Sequence, residues 1–229
     1  MSARLVAVLV RLVAIVAAAG FVAACSAEVP NPFASFDARC AKLPAAVYDI
    51  AVVPMRVDEV HAQDVAWLTA RSKTDPTRHR TFGLTMVSFG HDTHTELRIL
   101  EDRSGRACGT PTVHVQLSMQ PAVVYLAREL DGQACDQSAA RAHEQRHVAV
   151  YRAALAEAAR RLRTELPDAL GDAVRAAATA GELRRRFDAD LREYLARFMA
   201  EQQADMAEQQ AQIDTTEEYE RVAHACAPS

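Results

Sequence analysis

Two textures divide the chain. Up to about residue 127 the apolar positions come in short runs, and after Cys135 they recur every three or four residues. Residues 47–57 (VYDIAVVPMRV) have the β-branched content of a strand, interrupted by Pro54. Residues 58–80 are polar, with a helical stretch around 60–70. Strand-like runs follow at 81–89, 95–100 and 112–119. In the last, Val113, Val115, Leu117 and Met119 alternate with His114, Gln116 and Ser118. A period of two predicts a strand with one buried face and His114 on the wetter side. Residues 122–127 (AVVYLA) read equally as a strand or as a helix start.

Residues 137–166 contain neither Gly nor Pro, and Val148, Tyr151, Leu155, Ala159, Leu162 and Leu166 mark one face. This predicts a long amphipathic helix that Pro167 and Gly171 interrupt. A second helical stretch is predicted from about 172 to 213, pausing at Gly181, with a stripe through Leu183, Phe187, Leu191, Tyr194, Leu195, Phe198 and Met206. Its polar run 201–212 (EQQADMAEQQAQ) reads as solvated, and the tail 214–229 is acidic. Strands first and helices after predict an α+β fold, a small and mostly antiparallel sheet followed by a helical hairpin.

The N-terminus has a different purpose. Arg4 and Arg11 precede or punctuate an apolar stretch that ends in Val22-Ala23-Ala24-Cys25. This is the pattern of an export signal, 1–24, and its end resembles the bacterial lipobox, which makes Cys25 the lipidation site. The alternative is an ordinary secretory signal that contains a Cys. Residues 25–36, with two prolines, read as a lipidated N-terminus and tether, and 37–226 as the domain. Ser26 after the Cys favours the outer membrane, by analogy with Gram-negative lipoproteins. Loss of Arg4 and Arg11 takes the formal charge from -4 to -6. The charge, and the lack of a basic patch with aromatics, exclude a nucleic-acid partner; Arg184-Arg185-Arg186 is a short run on a helix.

Export leaves Cys40, Cys108, Cys135 and Cys226, an even number suited to two disulfides with three possible connectivities. We expect Cys40–Cys108 to close the N-terminal half and Cys135–Cys226 to tie the C-terminus to the middle of the chain.

The chemistry lies in His143-Glu144-Gln145-Arg146-His147, an H-E-x-x-H sequence inside the predicted helix. A chain of this composition holds the pattern by chance about 0.02 times. Side chains at i and i+4 share a helix face, so two imidazoles can reach one metal ion, and the Glu between them can take a proton from a water activated there. Arg141 and Arg146 are charged where stricter versions of the motif are not. A catalytic zinc needs a third protein ligand. Val150 and Ala153 stand where the extended motif has its Gly and third His. Glu157 and Glu165 are roughly 15 and 27 Å further along the helix, too far to help. Two routes return: Asp190 or Glu193 on the second helix, or Asp214, Glu217, Glu218, Glu220 and His224 in the tail. The tail is favoured, with Glu218 and His224 as the candidates. His91-Asp92-Thr93-His94 is a loop pair able to bind metal, but without a further ligand cluster it reads as polar surface. No G-x-S-x-G, phosphate loop or dinucleotide fingerprint is present.

The stretch AHEQRHVAVYRAAL, the long helices and the tail DTTEEYERV resemble a family of bacterial secreted Zn-dependent proteases, over residues 47–226. The resemblance implies a zincin-like fold, Zn²⁺ on His143 and His147, and Glu144 as catalytic base. Family members carry an Asp, then Thr and His-Gly, after the second long helix. Asp214 matches the Asp, whereas Glu218-Tyr219-Glu220 stand where Thr-x-His-Gly would end, which leaves the third ligand open. The expected protein is an envelope-anchored zinc metallopeptidase with a peptide or protein substrate, bound to the membrane through its lipid and facing the periplasm. In zincins a sheet edge can hold the substrate, and 112–119 is the strand expected to do so. The alternative is a non-catalytic lipoprotein that uses its helical hairpin as a scaffold or metal-binding module.

Overall fold

The computed structural model describes residues 34–72 and 80–226. The signal peptide 1–24, Cys25 and the tether up to residue 33 lie outside the described residues. The fold is α+β, a five-stranded mixed sheet followed by two long helices.

Strand β4 (Ala107–Leu126) is the spine of the sheet. Along one side runs β3 (Gly83–Glu101), antiparallel from Gly83 against Leu126 to Glu101 against Ala107. Along the other side three short strands follow end to end. β5 (Arg175–Ala177) pairs antiparallel, and β1 (Val47–Val52) and β2 (Asp58–Val60) pair parallel. Four expectations are corrected here. The runs 81–89 and 95–100 are one strand, and so are 112–119 and 122–127. The buried parity of β4 switches from odd to even positions across Gln120–Pro121, opposite a register shift in β3 between Val87 and Phe89. One strand with a bulge thus looks like two unrelated runs. His91-Asp92-Thr93-His94 is therefore strand, not loop. Segment 112–119 is also no edge, since β4 is paired on both sides. Among the described residues β3 is one edge of the sheet, and β5, β1 and β2 together form the other.

Val113, Val115, Leu117 and Met119 face the helices, and His114 is exposed on the other face, as alternation predicts. Helix α3 (Ala134–Leu170) and helix α4 (Ala180–Ala211) cover the buried face. Leu155, Leu162 and Leu166 of α3 join Phe187, Leu191, Leu195 and Phe198 of α4 in one core with the strand. Pro167 does not end α3. It sits in the last turn, where it removes a single hydrogen bond, and Leu166 and Leu170 continue the buried stripe past it. The helix stops at Gly171, whose φ of +76° a residue with a Cβ resists. Residues 175–177 add a strand to β4 instead of opening the second helix. That helix starts at Thr179, whose Oγ1 accepts from the Glu182 amide, and Glu182 accepts in return from the Ala178 amide.

Helix α2 (Val65–Arg71) was foreseen and packs Val65 and Leu68 against Val124, Leu126 and Val148 in a second core. Both expected disulfides are present. Cys40, in helix α1 (Phe36–Cys40), joins Cys108 of β4, and Cys135 in the first turn of α3 joins Cys226. Two such bonds suit an oxidising, extracytoplasmic compartment. Among the described residues no helix is long and apolar enough to cross a membrane.

The polar run 201–212 is not wholly solvated. Met206 and Gln202 are buried, and the Gln202 Nε2 has no hydrogen-bond partner among the described residues. An unpaired buried amide donor costs about 1–3 kcal/mol. Gln202→Met should therefore raise the thermal midpoint by about 2–4 °C for each kcal/mol recovered. A midpoint that fell would show that the amide has a partner in solution.

Candidate metal centre

The site begins with the register of α3. Ala140 and Val148 face the second core, which turns His143 and His147 toward the neighbouring sector, where both are buried. Their rings are 4.9 Å apart at 75°, and their Nε2 atoms are 3.1 Å apart. The third group arrives from the chain beyond α4. A turn after Ala211 buries Ile213, and Thr215 caps helix α5 (Thr216–His224) by accepting from the Glu218 amide. The turn presents Asp214, whose Oδ1 is 3.2 Å from His143 Nε2 and 3.1 Å from His147 Nε2.

Both imidazoles are held from behind. His143 Nδ1 is 3.1 Å from Glu218 Oε1, and His147 Nδ1 meets Gln210 Oε1. The Gln210 amide is oriented because its Nε2 donates to the His147 carbonyl. A carboxylate and an amide oxygen only accept, so in the neutral imidazole each Nδ1 carries the proton and each Nε2 a lone pair. Two nitrogen lone pairs and a carboxylate oxygen then converge with no donor of their own. Three corners of a tetrahedron of about 2.0–2.1 Å radius are about 3.3 Å apart, close to the separations seen here. The donor set and spacing fit a zinc ion with one position open. Among the described residues His143, His147 and Asp214 form a group that could hold a metal ion.

The electrostatics agree. Burial alone would depress both imidazoles, but Asp214 outweighs it, helped by Glu218 at His143 and Gln210 at His147, and both are drawn toward their cationic forms. Burial pushes Asp214 up, yet the two histidines hold it well below the usual carboxylate range. Glu218 is held low by Arg221, with His143 and Arg146 assisting. Arg146 Nη1 lies 2.6 Å from Glu218, and Arg221 makes two bonds to it at 2.7 and 2.8 Å. The charge in the motif at Arg146 thus fixes the residue behind His143. Arg141 has another task, a two-pronged pair with Glu59 of β2 at 2.8–3.2 Å.

Glu144 faces the sheet. It is 3 % exposed, and its Oε2 accepts from Thr85 Oγ1 of β3 at 2.7 Å. Burial raises its carboxyl above the usual range, and Thr85 and the two histidines partly offset this. The strand comes this close because residue 83 is glycine. A Cβ there would overlap Glu144 Oε1 and lie 2.8 and 2.9 Å from its Cγ and Cδ. Tyr219 closes the other side, its ring 6.0 Å from that of His143 and its hydroxyl bonded to Asp214.

Of the residues named from the sequence, His143, Glu144 and His147 stand together. Asp214, one of the tail acids in reach, occupies the third place. Glu218 sits behind His143 and not at the lone pairs. His224 is exposed at the end of α5 and outside the group. Asp190 pairs with Arg175 instead. Gly83, Thr85, Gln210 and Tyr219 escaped sequence reasoning. Gln210 had a signal, since it stands four residues before Asp214, where a turn of helix places two side chains together. Comparison with family models, with curated proteins and with solved structures finds no match to this chain, so the site is known by its own residues.

Proposed function

We propose that this protein is a zinc-dependent peptidase held in the cell envelope by a lipid on Cys25. The convergence of the His143, His147 and Asp214 lone pairs, with the Glu144 carboxyl beside them, carries the reading. When bound, a zinc ion would lower the pKa of water toward ~7 and polarise a peptide carbonyl. The chain's residues would do the rest. Glu144, with its carboxyl raised by burial and oriented by Thr85, takes the proton of the attacking water and returns it to the leaving amine. Glu218 and Gln210 keep the imidazoles in one tautomer throughout. The free edge of β3 at Gly83 and Thr85 passes beside Glu144 and offers backbone groups to an extended peptide.

The hairpin reading has less support. The apolar stripes of α3 and α4 are spent on the sheet, and the exposed large apolar side chains among the described residues are Val47, Val52, Phe82 and Met86, none of them on those helices. The test is the metal content and peptidase activity of the purified, oxidised protein. We expect about one zinc per chain, its loss in His147→Ala, and a Glu144→Gln variant that keeps zinc while losing turnover by about 10²–10⁴-fold. A wild-type protein without zinc after reconstitution would end the enzyme reading.

A further inference from the structure

The sheet face away from the helices carries a second histidine pair. His94 of β3 and His114 of β4 are directly opposite in the register, and Asp49 of β1 is opposite His114 on its other side. Directly paired residues share a face, so the three form one row across the sheet. The rings of His94 and His114 are 6.3 Å apart and within 25° of parallel. Each imidazole also has a carboxylate on one nitrogen. His114 Nδ1 is 3.1 Å from Asp49 Oδ2, and His94 Nε2 is 3.3 Å from Glu96 Oε1.

These contacts set the chemistry. An imidazole that gives one N–H to a carboxylate carries its lone pair on the other nitrogen, the arrangement of metal-binding histidines. His114 Nε2 and His94 Nδ1 are thereby left as the donor atoms. Two imidazoles on one ion at about 2.0–2.1 Å have ring centres up to roughly 6.5 Å apart, so the observed spacing needs only side-chain rotation. That rotation is available, because His94 and His114 side chains are 70 % and 48 % exposed. The surrounding charge is negative, from Asp49, Asp92 and Glu96.

We propose that His94 and His114, each held from behind by a carboxylate, form a second and open site for a divalent transition-metal ion. Two imidazole nitrogens on an exposed surface, with water completing the shell, suit a borderline ion, and Cu²⁺ binds such donors most tightly among the first-row divalents. The site is on the opposite face of the sheet from His143 and His147 and shares no residue with them. It takes up the His94 half of a motif that sequence reading leaves as polar surface.

The test is a Cu²⁺ titration of the zinc-treated full chain followed by electron paramagnetic resonance. Wild type and His147→Ala should both show a copper equivalent with coupling to two imidazole nitrogens. In the His147→Ala background, where the buried pair gives no two-nitrogen signal of its own, His94→Asn and His114→Asn should each lose that signal, with unchanged thermal midpoints, since both side chains are exposed. A wild-type spectrum without two-nitrogen coupling, or a signal that survives both replacements, would overturn the proposal. Because His147→Ala is carried in parallel, failure of the buried centre and failure of this one give different patterns.

Discussion

Asp214→Ala should strip the buried centre of zinc. Four-ligand zinc sites bind with about 10–16 kcal/mol, so one ligand is worth some 3 kcal/mol and its loss a hundredfold or more in affinity. Asp214 also supplies the negative charge that draws both imidazoles toward cationic forms, so the alanine variant loses a donor and the field together. Glu218→Gln is the informative comparison. It leaves the three converging lone pairs in place but weakens the hold on His143 Nδ1 and the ion pairs with Arg146 and Arg221 that fix it, a change in the range of 10–100-fold. Chelator competition on the two variants ranks them. Zinc held with wild-type affinity by Asp214→Ala, but lost on replacing Glu218 or His224, would move the third ligand into α5.

The second large effect is expected from one methyl group. Gly83→Ala places a Cβ against three atoms of Glu144, a side chain with nowhere to swing because it is 3 % exposed. Either the carboxyl leaves Thr85 or β3 retreats from α3, and overpacking of this kind costs about 1–3 kcal/mol of stability. Neither response touches His143, His147 or Asp214. The variant should therefore keep its zinc and lose turnover by about 10²-fold or more, the lower end of what a positioned base contributes. Gly90→Ala in the same strand is the control, since a Cβ there meets nothing within 4 Å. Equal activity in both variants would mean that Glu144 is not the base.

The metal helix was legible because its face repeats every three to four residues and two histidines fall on that face. Parity allowed three pairings of the four cysteines, and the expected Cys135–Cys226 bond is the one present; it brings the tail to the histidines, where Asp214 lies in place of the candidates Glu218 and His224. What stayed hidden has physical causes. A bulge at Gln120–Pro121 reverses the burial parity of β4 and disguises one long strand as two. Residues 90–94 are polar because they lie on a sheet edge, and polarity alone reads as loop. Pro167 signals a stop that packing of Leu166 and Leu170 overrides. In the site, the order of Asp214 and Glu218 around the histidines depends on where α4 ends, a boundary that periodicity places only to within a few residues. One residue of drift at a helix end turns a side chain by about 100°.

The Cys135–Cys226 bond spans 91 residues and joins the start of the helix bearing His143 to the end of the helix behind Asp214. It acts as a tether that raises the effective concentration of the third ligand at the two histidines. Closing a loop of that length is worth about 4–5 kcal/mol of chain entropy. Linkage makes the relation reciprocal: whatever factor the closed bond adds to zinc affinity, bound zinc adds to the resistance of that bond to reduction. Each tenfold of coupling corresponds to about 30 mV for a two-electron couple. On the proposed zinc reading, oxidation and metal capture would thus reinforce each other, and a chain still reduced would carry its metal donors in two pieces that only packing brings together.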